Sequence, residues 1–226
     1  WSLANTTIAA RRPYNVKAEI AAHKAIQEAD ERIWAGQPTA EHKTPRVIFV
    51  VGAPRSGTSL IEQIIASSPG VKAMGETMIS RLATWPLGNL SAADLEKVGA
   101  FGPPGVTWQR LGAVYRHFAN NRGENAPVVT DKGALLHMFV GALARMLPNA
   151  KFVWVKRDPR DVAFSGFRNY LSDGNRWRHS LDDAATYLKA HDELMQYWKQ
   201  KFPKQVYELN YASLAGAPQD ETDKLT

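Results

Sequence analysis

The stretch at residues 47–61, VIFVVGAPRSGTSLI, restricts the fold more than any other part of the chain. Five consecutive apolar residues, mostly β-branched, run into Gly52. Gly57 follows after four intervening positions, and Thr58 and Ser59 open a second apolar run. A strand with no polar face needs cover on both sides, which a parallel sheet flanked by helices provides. Two glycines let the backbone curl so that its N–H groups converge on an oxyanion. The helix that follows adds the positive end of its dipole. The stretch therefore predicts a strand, an anion-binding loop, and a helix from Thr58 to Ser67. That helix should bury Leu60, Ile61, Ile64 and Ile65 on one side and stop at Pro69-Gly70.

The same alternation continues downstream. VKAMG (71–75), PVVTDK (127–132), KFVWVKR (151–157) and QVYELNY (205–211) read as strands. Residues 80–126 read as helix in pieces, broken at GPPG (102–105). GALLHMFVGALARMLP reads as a buried helix, DPRDVAFSGFRNYL as another, and 182–202 as a long one. Upstream, AEIAAHKAIQEADERIWAG has helical spacing up to Gly36, and a proline-bearing linker follows. The predicted class is α/β, a P-loop-type three-layer fold with a mainly parallel central sheet flanked by helices, plus an N-terminal helical segment. Residues 1–45 form that segment and its linker, compatible with the end of an upstream repeat region, and 46–226 the main domain. Open parallel sheets bind ligands at the carboxyl ends of their strands, so the chemistry is expected just after residues 51, 75, 132 and 157.

Charge points the same way. The net charge is +6, and residues 151–178 hold seven Lys/Arg against three Asp/Glu. A local basic cluster implies an anionic partner, a nucleic acid or a phosphorylated nucleotide. There is no cysteine, which excludes disulfides and thiolate metal sites, and no run of eighteen apolar residues. No signal peptide is apparent at WSLANTTIAARRPYN, so a cytoplasmic location is expected. No His/Asp/Glu set has convincing metal-ligand spacing along the sequence, and no metal is expected.

The loop departs from nucleoside-triphosphate enzymes in one respect. A Walker loop follows its second glycine with a lysine that reaches the β- and γ-phosphates. Here Thr58 stands in that place, and the positive charge sits inside the loop as Arg55. That arrangement suits a single 5′-phosphate-like group better than a triphosphate with its metal. With these features GAPRSGTSLIEQIIASSP resembles the 5′-phosphosulfate loop of sulfotransferases, which use 3′-phosphoadenosine-5′-phosphosulfate as donor. MLPNAKFVWVKRDPRDVAFS and the closing LNYASL strengthen the resemblance. It is closest to the tyrosylprotein-like branch and to bacterial sulfotransferases associated with tetratricopeptide repeats, and it runs from about Arg46 to Ala217.

The resemblance implies residue roles. Arg55, Ser56, Gly57, Thr58 and Ser59 would hold the 5′-phosphosulfate. In KRDPRDVAFS, Arg157 and Ser165 would hold the 3′-phosphate. Asp158 and Pro159 also read as an ordinary helix start, N-cap then N1. Glu76, after VKAMG, matches the general base, and Lys132, after PVVTD, the residue at the leaving phosphate. A carboxylate base suits an acidic acceptor hydroxyl such as a phenol. His137 is the rival base; in LLHMF, among apolar residues, it reads more readily as a core histidine. The family's further segment near the adenosine lies beyond Thr226, so the sulfotransferase domain is expected to be C-terminally incomplete. The expected partners are the nucleotide donor and a hydroxyl-bearing small molecule, peptide or glycan, with no nucleic acid and no metal. The alternatives are a degenerate P-loop kinase or NTPase and a nucleotide-binding module without catalysis.

Overall fold

The computed structural model describes residues 1–35, 39–41, 45–88, 104–133, 135–169 and 175–225. Its centre is a sheet of β1 (Arg46–Val51), β2 (Val71–Glu76), β3 (Val128–Lys132), β4 (Lys151–Lys156) and β5 (Val206–Asn210). The spatial order is β2-β3-β1-β4-β5, and every pairing is parallel. All the predicted strands are therefore present, each within about a residue of its expected bounds. The chain leaves β1 toward β2 and β3 on one side and returns to β4 and β5 on the other. The switch point, where such sheets open a crevice, lies between β1 and β4.

Helices cover both faces, in chain order α1 (Ser2–Arg11), α2 (Val16–Ala29), α3 (Thr58–Ala66), α4 (Ile79–Thr84), α5 (Trp108–Arg122), α6 (Leu136–Met146), α7 (Pro159–Arg168), α8 (Leu181–Lys201), α9 (Tyr211–Gly216) and α10 (Pro218–Asp223). Alternation along β1 divides the core. Val47, Phe49 and Val51 join a large cluster with α5, α6 and α8. Val50 points the other way, toward Ile61 and Ile65 of α3 and Leu214 of α9. Leu60, expected on the buried side of α3, is instead 48% exposed. It sits about 100° around the helix from Ile61, and the sheet covers a narrower stripe than the apolar run would fill. The helix at 136–146 starts about one turn later than GALLHMF suggested. Asp158 caps α7 by accepting from the Arg160 amide at 2.8 Å, with Pro159 at the first helical position.

The N-terminal segment packs into this core. Ile26, Ala29 and Trp34, the last in a π-helical turn after α2, are fully buried with β1 and α6. Asp30 in that turn pairs with Arg145 of α6 at 2.5 Å and accepts from the Tyr197 hydroxyl at 2.9 Å. The expected stop at Gly36, most of the linker, the first half of GPPG and residues 172–174 of the loop before α8 lie outside the described residues. Among the described residues no helix is long and apolar enough to cross a membrane.

Candidate active site

Strand register lines up the predicted residues. Val50 of β1 pairs with Lys132 of β3, and Lys132 pairs with Glu76 of β2. On the other side, Val51 pairs with Trp154 of β4, three residues before Arg157, and Lys156 pairs with Asn210 of β5. Strands lie about 4.8 Å apart, so Glu76, Lys132, the loop after β1, and Arg157 span one sheet edge over roughly 14 Å.

The loop is built as its glycines require. Gly57 has φ +104°, and a Cβ there would lie 2.5 Å from the Tyr211 ring. A Cβ on Gly52 would lie 2.5 Å from Ser56 Oγ and 3.0 Å from the Val155 carbonyl oxygen. Arg55 also has positive φ, +78°, which costs a side-chain-bearing residue about 1–2 kcal/mol and must be held in place. Three contacts hold it. Arg55 Nε donates to Ser165 Oγ at 3.0 Å, Arg157 Nη1 donates to the Arg55 carbonyl at 3.5 Å, and the Ser56 amide closes a turn on Ala53 O at 3.0 Å. Arg157 lies over the Tyr211 ring at 4.8 Å and pairs with Asp161 at 3.5 Å. The two expected anion sites therefore adjoin, with Arg55 linking the loop to α7.

No side chain caps α3, so its first-turn amides face the loop without one. Ser56 Oγ and Arg157 Nε are buried and have no protein partner among the described residues. Buried donors of this kind ask for acceptors, and phosphate or sulfate oxygens supply them. The residues present therefore fit a bis-anionic nucleotide. Arg157 and Ser165 line a cavity of about 290 Å³ with Arg168, and Ala53, Ser56 and Arg157 also line one of about 720 Å³ against α7 and α8.

At the other end of the edge, Lys132 Nζ donates to Glu76 Oε1 at 3.2 Å. The lysine is 12% exposed and the glutamate 75%, so Glu76 is the member that solvent and an incoming molecule reach. Two buried carboxylates hold the segments beside this pair, one through a backbone amide and one through side-chain hydroxyls. Glu62 of α3 accepts from the Gly75 amide at 3.1 Å and from Thr130 Oγ1 at 2.9 Å. Asp131 accepts from Thr77 at 2.9 Å, Tyr115 at 2.8 Å and Ser80 at 3.4 Å. Glu76 is thus fixed from both neighbours, Gly75 and Thr77. Sequence reading placed Asp131 only as a neighbour of Lys132 and passed over Glu62. A lone carboxylate on the buried side of α3, between Ile61 and Ile65, was the available signal. Tyr211 was missed because the closing strand gives no hint of which loop it meets.

Burial pushes the Asp131 carboxyl up from 3.8 to about 6, against the opposing pull of the Tyr115, Thr77 and Ser80 hydroxyls. The folded state keeps this proton where the unfolded chain has lost it, so Asp131 adds stability at low pH that disappears as pH rises through about 4 to 6. Asp131→Asn has no such proton. Between pH 4 and pH 7 the stability of wild type relative to the variant is expected to fall by on the order of 2–3 kcal/mol. Urea unfolding of both proteins at the two pH values measures this, and parallel shifts would refute it.

His137, the rival base, is fully buried in the first turn of α6, with its ring against His191 and His23. It sits in the core, as its apolar neighbours indicated.

A parallel sheet with a glycine-turned anion loop beside its switch point defines a P-loop-type α/β protein. The chain belongs to the sulfotransferase family, whose sequence model matches residues 45–226. Among curated proteins it is 26% identical to a putative protein-tyrosine sulfotransferase of Caenorhabditis briggsae, over 80% of this chain and 64% of that one. It is 28% identical to mouse protein-tyrosine sulfotransferase 1, over 70% of this chain and 47% of that one. It is 31% identical to an uncharacterized protein of Aquifex aeolicus, over 79% of this chain and 25% of that one. The chain thus spans between a quarter and just under two thirds of these relatives. A crystal structure of a sulfotransferase from Mycobacterium avium superposes with TM-score 0.53 and 14% identity, covering 99% of this chain and 70% of that one. One from Alicyclobacillus acidocaldarius gives 0.50 and 18%, covering 81% and 79%. At these identities the structures speak to fold alone.

Proposed function

We propose that this chain carries the catalytic centre of an enzyme that moves a sulfuryl group from 3′-phosphoadenosine-5′-phosphosulfate to an acceptor hydroxyl, phenolic or tyrosine-like by preference. The observation that carries the proposal is the single sheet edge bearing Glu76, Lys132, the loop and Arg157 in register. When bound, the donor supplies an activated sulfuryl group on a phosphate leaving group. The amides of Gly57, Thr58 and Ser59, with Ser56 Oγ and Arg55, hold the 5′ end. Arg157 and Ser165 hold the 3′-phosphate, a guanidinium and a hydroxyl suiting a phosphate. Glu76, exposed at the edge, takes the acceptor proton. Lys132, the ion-pair partner of Glu76, would set its charge beside the phosphate leaving group and stabilise the negative charge that develops there. The protein-tyrosine sulfotransferases among the relatives support a phenolic acceptor.

The test is a panel of tyrosine peptides, simple phenols, aliphatic alcohols and glycans incubated with 3′-phosphoadenosine-5′-phosphosulfate and read by product mass. An 80 Da gain (about, for SO₃) on a phenolic acceptor, without added metal, is expected. No transfer to any acceptor, together with Mg²⁺-dependent ATP turnover, would replace the proposal with the kinase or NTPase alternative. Nucleotide binding with neither activity would replace it with a binding module.

A further inference from the structure

The layer where α2, α6 and α8 meet holds titratable side chains to which the proposed sulfuryl transfer assigns no role. Glu19 and His23 lie one turn apart on α2, and His137 projects from α6. His23 and His137 are buried, and Glu19 is 26% exposed. One coordinating atom from each of the three lies within 4.8 Å of the others.

The geometry within the group is informative. His23 Nδ1 lies 3.3 Å from the Ala190 carbonyl, a contact that places the ring proton on Nδ1. The Nε2 lone pair then faces His137 Nε2 at 3.3 Å and Glu19 Oε1 at 3.8 Å. One ligating atom from each residue therefore converges on the same space, where a cation would find three donors. Zinc bound to nitrogen and oxygen at about 2.0–2.1 Å sets neighbouring ligand atoms roughly 3.3–3.4 Å apart in a tetrahedron. The His23–His137 separation of 3.3 Å already meets that spacing, while Glu19 Oε1 lies 3.8 Å from His23 Nε2 and within 4.8 Å of the His137 ligand atom, so the carboxylate closes in by a side-chain rotation. The Ala190 contact is the kind of outer partner that fixes a ligating histidine's tautomer.

We propose that Glu19, His23 and His137 bind one divalent transition-metal ion, Zn²⁺, through two imidazoles and a carboxylate. Glu19 also lines a cavity of about 680 Å³ between α2, α4 and α6. That cavity provides the entry path and room for a water as fourth ligand. The ion ties the N-terminal helix to the core, and its role is structural, since the Glu76–Lys132 edge is built from other elements. Local spacing could not reveal it: a Glu-x-x-x-His pair on one helix is incomplete without His137, 114 residues downstream.

Protein stripped with a chelator and dialysed is titrated with Co²⁺ and with Zn²⁺. One equivalent of Co²⁺ is expected to give the intense visible bands of tetrahedral coordination, and Zn²⁺ to displace it and raise the melting temperature. Glu19→Gln, at a partly exposed position, should fold normally and weaken Zn²⁺ binding by about tenfold or more. His137→Gln should abolish the visible bands. No stoichiometric binding, an octahedral Co²⁺ spectrum, or unchanged Zn²⁺ affinity in Glu19→Gln overturns the site. If His137→Gln does not fold, the Glu19→Gln result decides alone. None of these readouts depends on sulfuryl transfer.

Discussion

Glu76→Gln is expected to slow sulfuryl transfer by roughly 10²–10⁴-fold while leaving nucleotide affinity within about threefold of wild type, the range seen when a positioned general base is removed. The substitution suits the question. Gln has the same shape, and its Oε1 still accepts from Lys132 Nζ, so the 3.2 Å contact and the lysine's position survive. Glu76 is exposed and lies outside the core, so stability should change little. What the variant lacks is a site for the acceptor proton. An acidic phenol needs less help from a base than an aliphatic alcohol, so the loss should be smaller on nitrophenol-like acceptors than on tyrosine. Initial rates across acceptors of graded acidity, with product-nucleotide binding measured on the same samples, test both parts. Full turnover by Glu76→Gln would remove Glu76 from the chemistry, and equal losses across acceptors would point to a positioning role.

Arg157→Ala should weaken binding of 3′-phosphoadenosine-5′-phosphate by about 2–4 kcal/mol, or roughly 30- to 1,000-fold, as expected when one partner of a charged hydrogen-bonded pair is removed. The side chain also lies over Tyr211 and touches the Arg55 carbonyl. Some of the loss will therefore reach the 5′ end through the loop. Arg157→Lys separates the two effects: it keeps a charge but gives up the planar fork and the stack. Calorimetry with the bisphosphate and with adenosine 5′-phosphate, which lacks the 3′ group, reads the partition. A 3′-phosphate contact predicts that the variant penalty falls to near zero with the monophosphate. An equal penalty for both ligands would assign Arg157 to loop support. Unchanged affinity for the bisphosphate would sink the two-phosphate reading of this edge.

Much of the fold was legible in the chain because it rests on local rules. VIFVV could only be an inner strand, Asp158-Pro159 could start a helix, and Gly52 and Gly57 marked a turn that side chains would block. The family resemblance then singled out Glu76, Lys132, Arg157 and Ser165, and strand register brings Glu76, Lys132 and Arg157 to one edge. Leu60 was misjudged because an apolar run says how much surface is available, while the partner sheet decides how much is covered.

Sequence alone determined the parallel α/β class, the glycine turn after β1 and the basic character of the segment after β4. Each follows from spacing and residue type over a dozen positions, where backbone sterics and hydrophobic periodicity act. Tertiary structure alone decided that Arg55 reaches Ser165, 110 residues on, and that Tyr211 closes against Gly57. It also decided that Glu62 holds the Gly75 amide and Asp131 the Thr77 hydroxyl on either side of Glu76, and that Glu19, His23 and His137 converge. These contacts join parts of the chain that share no local pattern. Their energies depend on burial and on partners that exist only once the sheet has ordered its strands.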